Sequence, residues 1–352
     1  MQEERISPKD FMNKILSGAA TGIVVGLIPG AILGEIFKAL ADVHPVFAMF
    51  SGVLTAIQFT VPVLVGMFTA LQFNFTGIKM ASMVAAAWVG SGAPQLVDGN
   101  WELHGTGDLI NTMIVVSLSA LVIIGFNDRW PSLNIVVIPV IAGAFPGLIG
   151  LFTLPAVSKI TDLIGALVER FTTLQPLLMM VLIAIVFALV IVSPLSTVAI
   201  AYAISISGLA AGAANLGIVA TVFTLAYGSY KVNKAGTTIA LFFGGPKLMM
   251  ANYLQNPIMN VPIIINAAVT GLFAYLFKIP GTTASAGFGI TGLAGPINAF
   301  SLMDGSPLAK ILILIVQYVV VPLGIAIITH EVFTRMGLYS EEIYENDPSE
   351  GV

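Results

Sequence analysis

The sequence predicts an all-α polytopic membrane protein, and three observations support this fold class. Of the 352 residues, 57% are hydrophobic and 9% are charged, with a mean hydropathy of +0.97, whereas roughly a quarter of the residues in a soluble domain are charged. Uncharged tracts such as residues 174–230 far exceed the roughly 20 residues that one membrane-crossing helix needs. The apolar runs are continuous, which favours helices over a barrel of alternating strands.

In the first half of the chain, proline and charge divide the apolar stretches. Pro29 and Pro62 interrupt the first two stretches, and both positions are predicted kinks because proline removes a backbone donor. Residues 78–89 are too short to cross a membrane. A half-helix or an external loop is expected over the Gly/Pro-rich segment 90–104 that follows. A charged turn at 127–131 separates the next two spans.

An amphipathic helix is predicted over residues 156–172, where apolar residues recur with the spacing of one helix face. Its low net hydrophobicity favours a position in the membrane interface, as a connector between two halves; a short core helix is the alternative. The expected organisation is an N-terminal transmembrane half at 1–173, a C-terminal half at 174–337 and an acidic flexible tail at 338–352.

The second half is predicted to contain several further spans, joined in one place by the small-residue bridge 210–217. With broken helices allowed for, the whole chain is expected to cross the membrane about eight to ten times. The predicted spans of this half are 177–192, 195–208, 218–227, 263–277 and 311–328.

Two Gly/Pro-interrupted segments, 244–262 and 280–296, flank one apolar helix and predict the binding site. Unwound backbone at membrane depth is tolerated only where protein or a water-filled cavity satisfies its amides. Side-chain amides both donate and accept hydrogen bonds, which suits a neutral, hydroxyl-rich solute such as a sugar or polyol. Alternatively, the amides only cap broken helices and the lysine reaches the membrane surface. The candidate substrate-binding residues are Lys247, Asn252, Gln255, Asn256, Asn260 and Thr291.

Other functional classes find little support in the sequence. The chain has no cysteine and only three histidines, none with a partner at metal-ligand spacing, so no disulfide, metal site or cofactor is expected. No catalytic residue and no nucleic-acid partner is predicted. Glu35, inside the first apolar stretch, is a candidate coupling group for a proton or cation, or it pairs with Lys38 at the membrane edge. Arg5, Lys9 and Lys14 predict a cytoplasmic N-terminus.

Residues 26–35 (Gly-Leu-Ile-Pro-Gly-Ala-Ile-Leu-Gly-Glu) and 244–296 resemble the EIIC membrane components of bacterial sugar phosphotransferase systems. The perfringolysin-regulator-like branch has a similar Gly-x-Pro/Ser-x-Leu-x-Met-x-Asn element, an Asn-Pro before a short apolar span and a closing Gly-x-Gly-x-x-Gly-Leu segment. The resemblance implies a permease subunit of the bacterial plasma membrane with about ten helices, two re-entrant hairpins and an amphipathic connector. It also implies a homodimer with contacts in the N-terminal half, and separate IIB and IIA proteins that supply phosphate.

Two departures from this family leave the coupling open. Sugar-transporting relatives carry an Asn-Glu-Pro motif whose carboxylate contacts the sugar, whereas this sequence has Gln255-Asn256-Pro257. Relatives also place a histidine in the substrate domain, and here none lies between His104 and His330. Three hypotheses follow: a permease for a neutral polyhydroxylated solute, a non-transporting membrane sensor on the same fold, and a metabolite or ion carrier in which Glu35 acts.

Overall fold

The computed structural model describes residues 6–126, 133–242 and 245–345. The structure is 79% helical, which confirms the all-α polytopic membrane class. Within the described residues, six helices are long and apolar enough to cross a membrane, or seven spans if one bent helix pair is a single span. The predicted turn at 127–131 lies outside the described residues.

The helices and strands follow one another along the described residues with short connections. The helices are α1 (Pro8–Leu40), α2 (Pro45–Gln58), α3 (Val61–Gln72), α4 (Ile78–Gly90), α5 (Leu109–Phe126), α6 (Asn134–Ile138), α7 (Phe145–Thr172), α8 (Pro176–Val190), α9 (Thr197–Ala203), α10 (Gly208–Val232), α11 (Ala235–Phe242), α12 (Met250–Gln255), α13 (Asn260–Leu276), α14 (Thr283–Ala286), α15 (Ala294–Leu302), α16 (Pro307–Ile315) and α17 (Val321–Arg335). The strands are β1 (Pro94–Val97) and β2 (Asn100–Leu103). Short 3-10 and π-helical turns occupy Pro139–Ala144, Pro246–Met249, Pro257–Met259, Thr291–Leu293, Val316–Val320 and Glu341–Tyr344.

The two predicted proline kinks differ in outcome. Pro29 lies inside α1, which runs through it as one helix. The second stretch divides before Pro62 into α2 and α3, whose axes meet at 44°. Pro62 lies in the first turn of α3, where a backbone N–H has no partner within the helix, so proline costs no hydrogen bond there.

The polar segment 90–104 is a β-hairpin and not the expected half-helix or loop. β1 and β2 pair antiparallel, with Pro94 opposite Leu103 and Val97 opposite Asn100. The residues between the strands are Asp98 and Gly99, both with positive φ, which is the backbone conformation that a two-residue hairpin turn requires.

The predicted connector at 156–172 is not a separate helix. It is the C-terminal part of α7, which continues through Pro155 from the preceding span. Together with α6 and the π-helical turn, α7 forms a candidate span from Asn134 to Thr172. Membrane helices tolerate an internal proline because neighbouring groups can satisfy the freed backbone atoms.

The described residues divide into two compact units, the first within residues 6–27 and 52–159 and the second within 28–51 and 160–345. In the first unit, the buried amide of Asn111 donates to the carbonyls of Gly90 (2.6 Å) and Gly150 (2.8 Å). The hydroxyl of Thr153 donates to the Asn111 carbonyl oxygen at 2.7 Å. This network ties α4, α5 and α7 together.

Helix α10 is the centre of the second unit and is buried along almost its whole length. The small residues 210–217, predicted as a bridge between two spans, lie inside this single helix. They permit close packing: a Cβ atom on Gly217 would lie 2.0 Å from the carbonyl oxygen of Ala184 in α8. The hydroxyl of Thr221 also donates to the carbonyl of Ala188 at 2.8 Å.

Residues 338–345 belong to the predicted flexible tail, but they pack onto the second unit. Glu341–Tyr344 form a 3-10 turn, and Tyr344 is 1% exposed. The acidic residues of this segment predict a solvated tail. Instead, the aromatic rings of Tyr339 and Tyr344 are buried and hold the segment in place.

Candidate functional site

Three interruptions of helical structure meet in the second unit. The first break (residues 191–196) separates α8 from α9, the second break (245–249) precedes α12, and the third break (287–293) separates α14 from α15. The second and third breaks fall in the two segments that the sequence predicts as the binding site. The first break falls where two consecutive spans are predicted, and α9 is a short helix instead of a span.

Serine and proline explain the first break. Pro194 has no N–H to continue the ladder of α8. The hydroxyl of Ser193 donates to the carbonyl of Val190 at 2.7 Å, which closes the end of that helix. The hydroxyl of Ser196 accepts from the Ala199 N–H at 3.1 Å and caps the start of α9.

Lys247 joins the second break to the first. Its side chain is buried, at 5% exposure, and its ammonium donates to the carbonyl oxygens of Ser193 and Leu195, the latter at 2.8 Å. These carbonyls follow the end of α8, where the helix dipole favours a positive charge. Lys247 therefore stabilises the unwound backbone, and it does not extend to the surface of the unit.

The third break joins the start of α9, the helix that directly follows the first break. The hydroxyl of Thr197 donates to the carbonyl of Gly287 at 2.9 Å. Gly287 permits this approach, because a Cβ atom there would lie 2.6 Å from the Cα of Val198. A further hydrogen bond, from the Thr283 hydroxyl to the Ile206 carbonyl at 2.7 Å, fixes α14 beside the end of α9.

The third break also rests on the middle of α10. The buried amide of Asn215 donates to the Ser285 carbonyl at 2.7 Å. A Cβ atom on Gly295 would lie 2.1 Å from Asn215 Oδ1, and Gly289, with φ +67°, packs beside Ile218. Among the described residues, Asn215 Oδ1 has no hydrogen-bond partner, which is rare for a buried acceptor.

The second and third breaks approach α10 from its opposite ends. The segment leading to the third break pairs with the start of α10, through backbone hydrogen bonds between Gly208 and Gly281 at 2.9 and 3.0 Å. The segment leading to the second break pairs with its end, where the hydroxyls of Ser229 and Thr238 lie 3.1 Å apart. We call the meeting point of the three breaks the junction.

The sequence-predicted residues divide between the junction and one end of α10. Lys247 and Thr291 lie in the second and third breaks, and both are buried. The amides lie from α12 to the first residue of α13, and the three asparagines bond to protein groups. Asn252 donates to Ile343 (3.1 Å) and Glu345 (2.7 Å), Asn256 to Asn252 (3.0 Å) and Asn260 to Pro257 (2.9 Å), while Asn260 accepts from Tyr253 (2.6 Å); Gln255 is exposed. The side chain of Glu35 lies outside the described part of α1.

A groove in the first unit is a poor alternative site for a sugar. It encloses about 450 Å³ between α4 and the helical region from Ile135 to Gly147, and its lining is almost entirely apolar. The hydroxyl of Ser82, which lines it, already donates to the Ile78 carbonyl at 2.8 Å. The polar groups that a sugar needs are concentrated at the junction instead.

Sequence reasoning missed Ser193, Thr197 and Asn215. Ser193-Pro194 was visible as the end of a span but not as part of a site, because its partner Lys247 is distant in the sequence. Asn215 was visible as an amide among small apolar residues, a context typical of helix packing.

Residues 13–346 match the family model described as Phosphotransferase system, EIIC. The chain belongs to this family. No curated protein and no solved structure matches it. As an EIIC component, it is a membrane permease subunit of a sugar phosphotransferase system and a multi-pass protein of the plasma membrane. The matched region includes all three breaks.

Proposed function

We propose that this EIIC component binds a neutral, polyhydroxylated solute at the junction and translocates it by movement of the second unit. The observation that carries the proposal is the meeting of three unwound segments on one buried helix, with Lys247 bonding the second break to the first and Thr197, at the start of α9, bonding the third. Irregular backbone in a membrane protein of this kind marks the substrate path.

The chemistry of the junction suits hydroxyl groups. Lys247 supplies N–H donors, the Thr291 hydroxyl can donate or accept, and Asn215 Oδ1 is an acceptor. The amides of Asn252, Gln255, Asn256 and Asn260 flank the second break and complete the proposed substrate-binding set. Because the junction residues are buried, entry of a solute requires the second break to move away from the first, or the third to move away from α9 and α10.

The proposal extends to the architecture that the family resemblance implies. We propose that the segments leading to the second and third breaks are two re-entrant hairpins in a fold of about ten transmembrane helices. The perfringolysin-regulator-like branch, a cytoplasmic N-terminus, a homodimer through the N-terminal half, and phosphate supply by separate IIB and IIA proteins belong to the same proposal. The C-terminal half, 174–337, is the proposed substrate-binding half.

A membrane sensor on the same fold is the second candidate function. It is favoured by one observation, the triplet Gln255-Asn256-Pro257, in which the carboxylate of the sugar-transporting relatives is absent. Such a protein would bind a solute without moving it.

Uptake into proteoliposomes separates the two functions. We expect the purified protein, reconstituted alone, to equilibrate one radiolabelled sugar or polyol across the bilayer faster than empty liposomes do. Binding of that solute without any uptake would support the sensor. Competition by an ionic metabolite, but not by polyols, would favour a carrier unrelated to sugars, in which Glu35 gains importance.

Asn256→Ala tests the amides beside the second break. If the amide contacts the solute, the substitution weakens binding by about 1–3 kcal/mol, because a buried ligand group loses its hydrogen-bond partner. The folded yield should change little, since the side-chain amide of Asn256 donates to a carbonyl only four residues earlier, that of Asn252. Isothermal titration with the transported solute measures the effect, and Asn100→Ala, an exposed amide of β2, is the control. Unchanged affinity would remove Asn256 from the site.

A further inference from the structure

Residues 339–345, which follow α17, form a docked segment that we call the C-terminal strap. The chain leaves α17 through Gly337, whose φ is +67°, and turns back onto the second unit. The ring of Tyr344 occupies a seat on α10 that only glycine leaves open, because a Cβ atom on Gly228 would lie 2.5 Å from that ring. Burial raises the pKa of the Tyr344 phenol, so the ring is an uncharged anchor at neutral pH.

Further contacts hold the strap to both neighbouring helices. The side-chain amide of Asn233, after α10, donates to the Tyr344 carbonyl at 2.6 Å. On α17, the buried His330 ring places Nδ1 3.3 Å from the Tyr339 hydroxyl and Nε2 3.6 Å from Glu341 Oε1. The strap is therefore held by specific contacts with α10, Asn233 and α17.

The strap also binds the candidate site directly, through Asn252. The side-chain amide of Asn252 donates to two strap carbonyls, of Ile343 at 3.1 Å and of Glu345 at 2.7 Å. Asn252 lies in α12, five residues after Lys247. The strap thus ties the arm that carries the second break (residues 235–242 and 245–255) to α10 and α17.

We infer that the C-terminal strap is a lock that holds this arm against α10, and that its release opens the junction from the Ser229 end of α10. The inference rests on the proposed function, since it assigns a regulatory element to the same site. Opening of the arm breaks the Asn252 bonds, so a docked strap and an open arm exclude each other. By linkage, a solute that favours the open arm also favours release of the strap.

A thiol-labelling experiment tests the lock without any solute. Because the chain has no cysteine, Met249→Cys places a single reporter at a fully buried position of the second break, and its reaction with a maleimide measures how often the arm opens. In this background, Tyr344→Ala removes the anchor and Gly228→Val fills its seat. Tyr230→Ala, which removes a 70% exposed tyrosine of the same helix, is the matched control.

We expect Tyr344→Ala and Gly228→Val to raise the labelling rate about tenfold while Tyr230→Ala leaves it unchanged, because local opening governs the reactivity of a covered group. A spin label at the exposed Glu342, introduced as Glu342→Cys, reports in parallel whether the strap has left its seat. A mobile strap with an unchanged Met249→Cys labelling rate would overturn the lock, and so would a strap that stays immobile in both variants. If these variants fold poorly, Asn252→Ala provides the same test, because it removes only the two hydrogen bonds from the arm to the strap and should also raise the labelling rate.

The two proposals can fail separately. Faster labelling in strap variants of a protein that binds no sugar or polyol would retain the lock and reject the proposed solute. Normal solute binding and uptake, together with an unchanged labelling rate in the strap variants, would retain the proposed function and reject the lock.

Discussion

Lys247→Met is expected to abolish solute uptake and to lower the thermal unfolding temperature. The ammonium donates to the carbonyls of Ser193 and Leu195 inside the unit, and a methionine of similar length leaves both oxygens without this partner. Leaving a buried acceptor without a partner costs about 1–3 kcal/mol, so the loss is large compared with the stability of a typical domain. Proteoliposome uptake and fluorescence-monitored unfolding in detergent measure the two effects.

Lys310→Met is the matched control for this substitution. Lys310 also belongs to the second unit and donates to a backbone carbonyl, that of Phe300, at 3.2 Å, but it lies at the start of α16 and away from the three breaks. We expect its uptake to remain close to wild type. Normal uptake by Lys247→Met, at a normal unfolding temperature, would exclude Lys247 from the mechanism and weaken the assignment of the junction.

Gly217→Ala is expected to destabilise the second unit by about 1–3 kcal/mol or more, as overpacking of a well-packed core does. The added Cβ would lie 2.0 Å from the carbonyl oxygen and 2.7 Å from the Cα of Ala184. Both are backbone atoms, so α8 and α10 must move apart. The unfolding temperature in detergent, with the yield of monodisperse protein, measures the change.

Gly324→Ala controls for the intrinsic effect of replacing a glycine in a membrane helix. Gly324 lies in α17, and a Cβ atom there would meet nothing within 4 Å. This substitution should leave the unfolding temperature unchanged or raise it, since alanine is the better helix former. Equal stability of the Gly217→Ala and Gly324→Ala proteins would contradict the close packing of α8 on α10.

The sequence was sufficient for the class of the protein because hydropathy is a local property that one chain displays directly. It was also sufficient for two of the three breaks, since glycine and proline mark unwound backbone wherever they interrupt an apolar run. The EIIC family was predictable from residues 26–35 and 244–296, and the family match confirms it. The perfringolysin-regulator-like branch stays a prediction.

What could not be predicted depends on partners distant in the sequence. The role of Ser193 follows only from its contact with Lys247, 54 residues later. The small residues before Ile218 look equally suited to a loop and to a closely packed helix until Ala184 is known to face Gly217. The strap was hidden because Tyr344 is one aromatic residue among acidic neighbours, and its seat at Gly228 lies on another helix.

Thermal-shift screening of the detergent-solubilised protein against sugars, sugar phosphates, polyols and ascorbate, in wild type and in Thr291→Val, tests the central claim most directly. A ligand at 100 times its Kd stabilises the folded state by roughly 2.7 kcal/mol, which a shift in unfolding temperature detects. The account predicts that one neutral polyhydroxylated solute raises the unfolding temperature of the wild type, and that Thr291→Val, which keeps the shape of the side chain but loses its hydroxyl, reduces the shift. A shift that is identical in both proteins, or no shift with any member of the panel, would contradict a solute site at the junction.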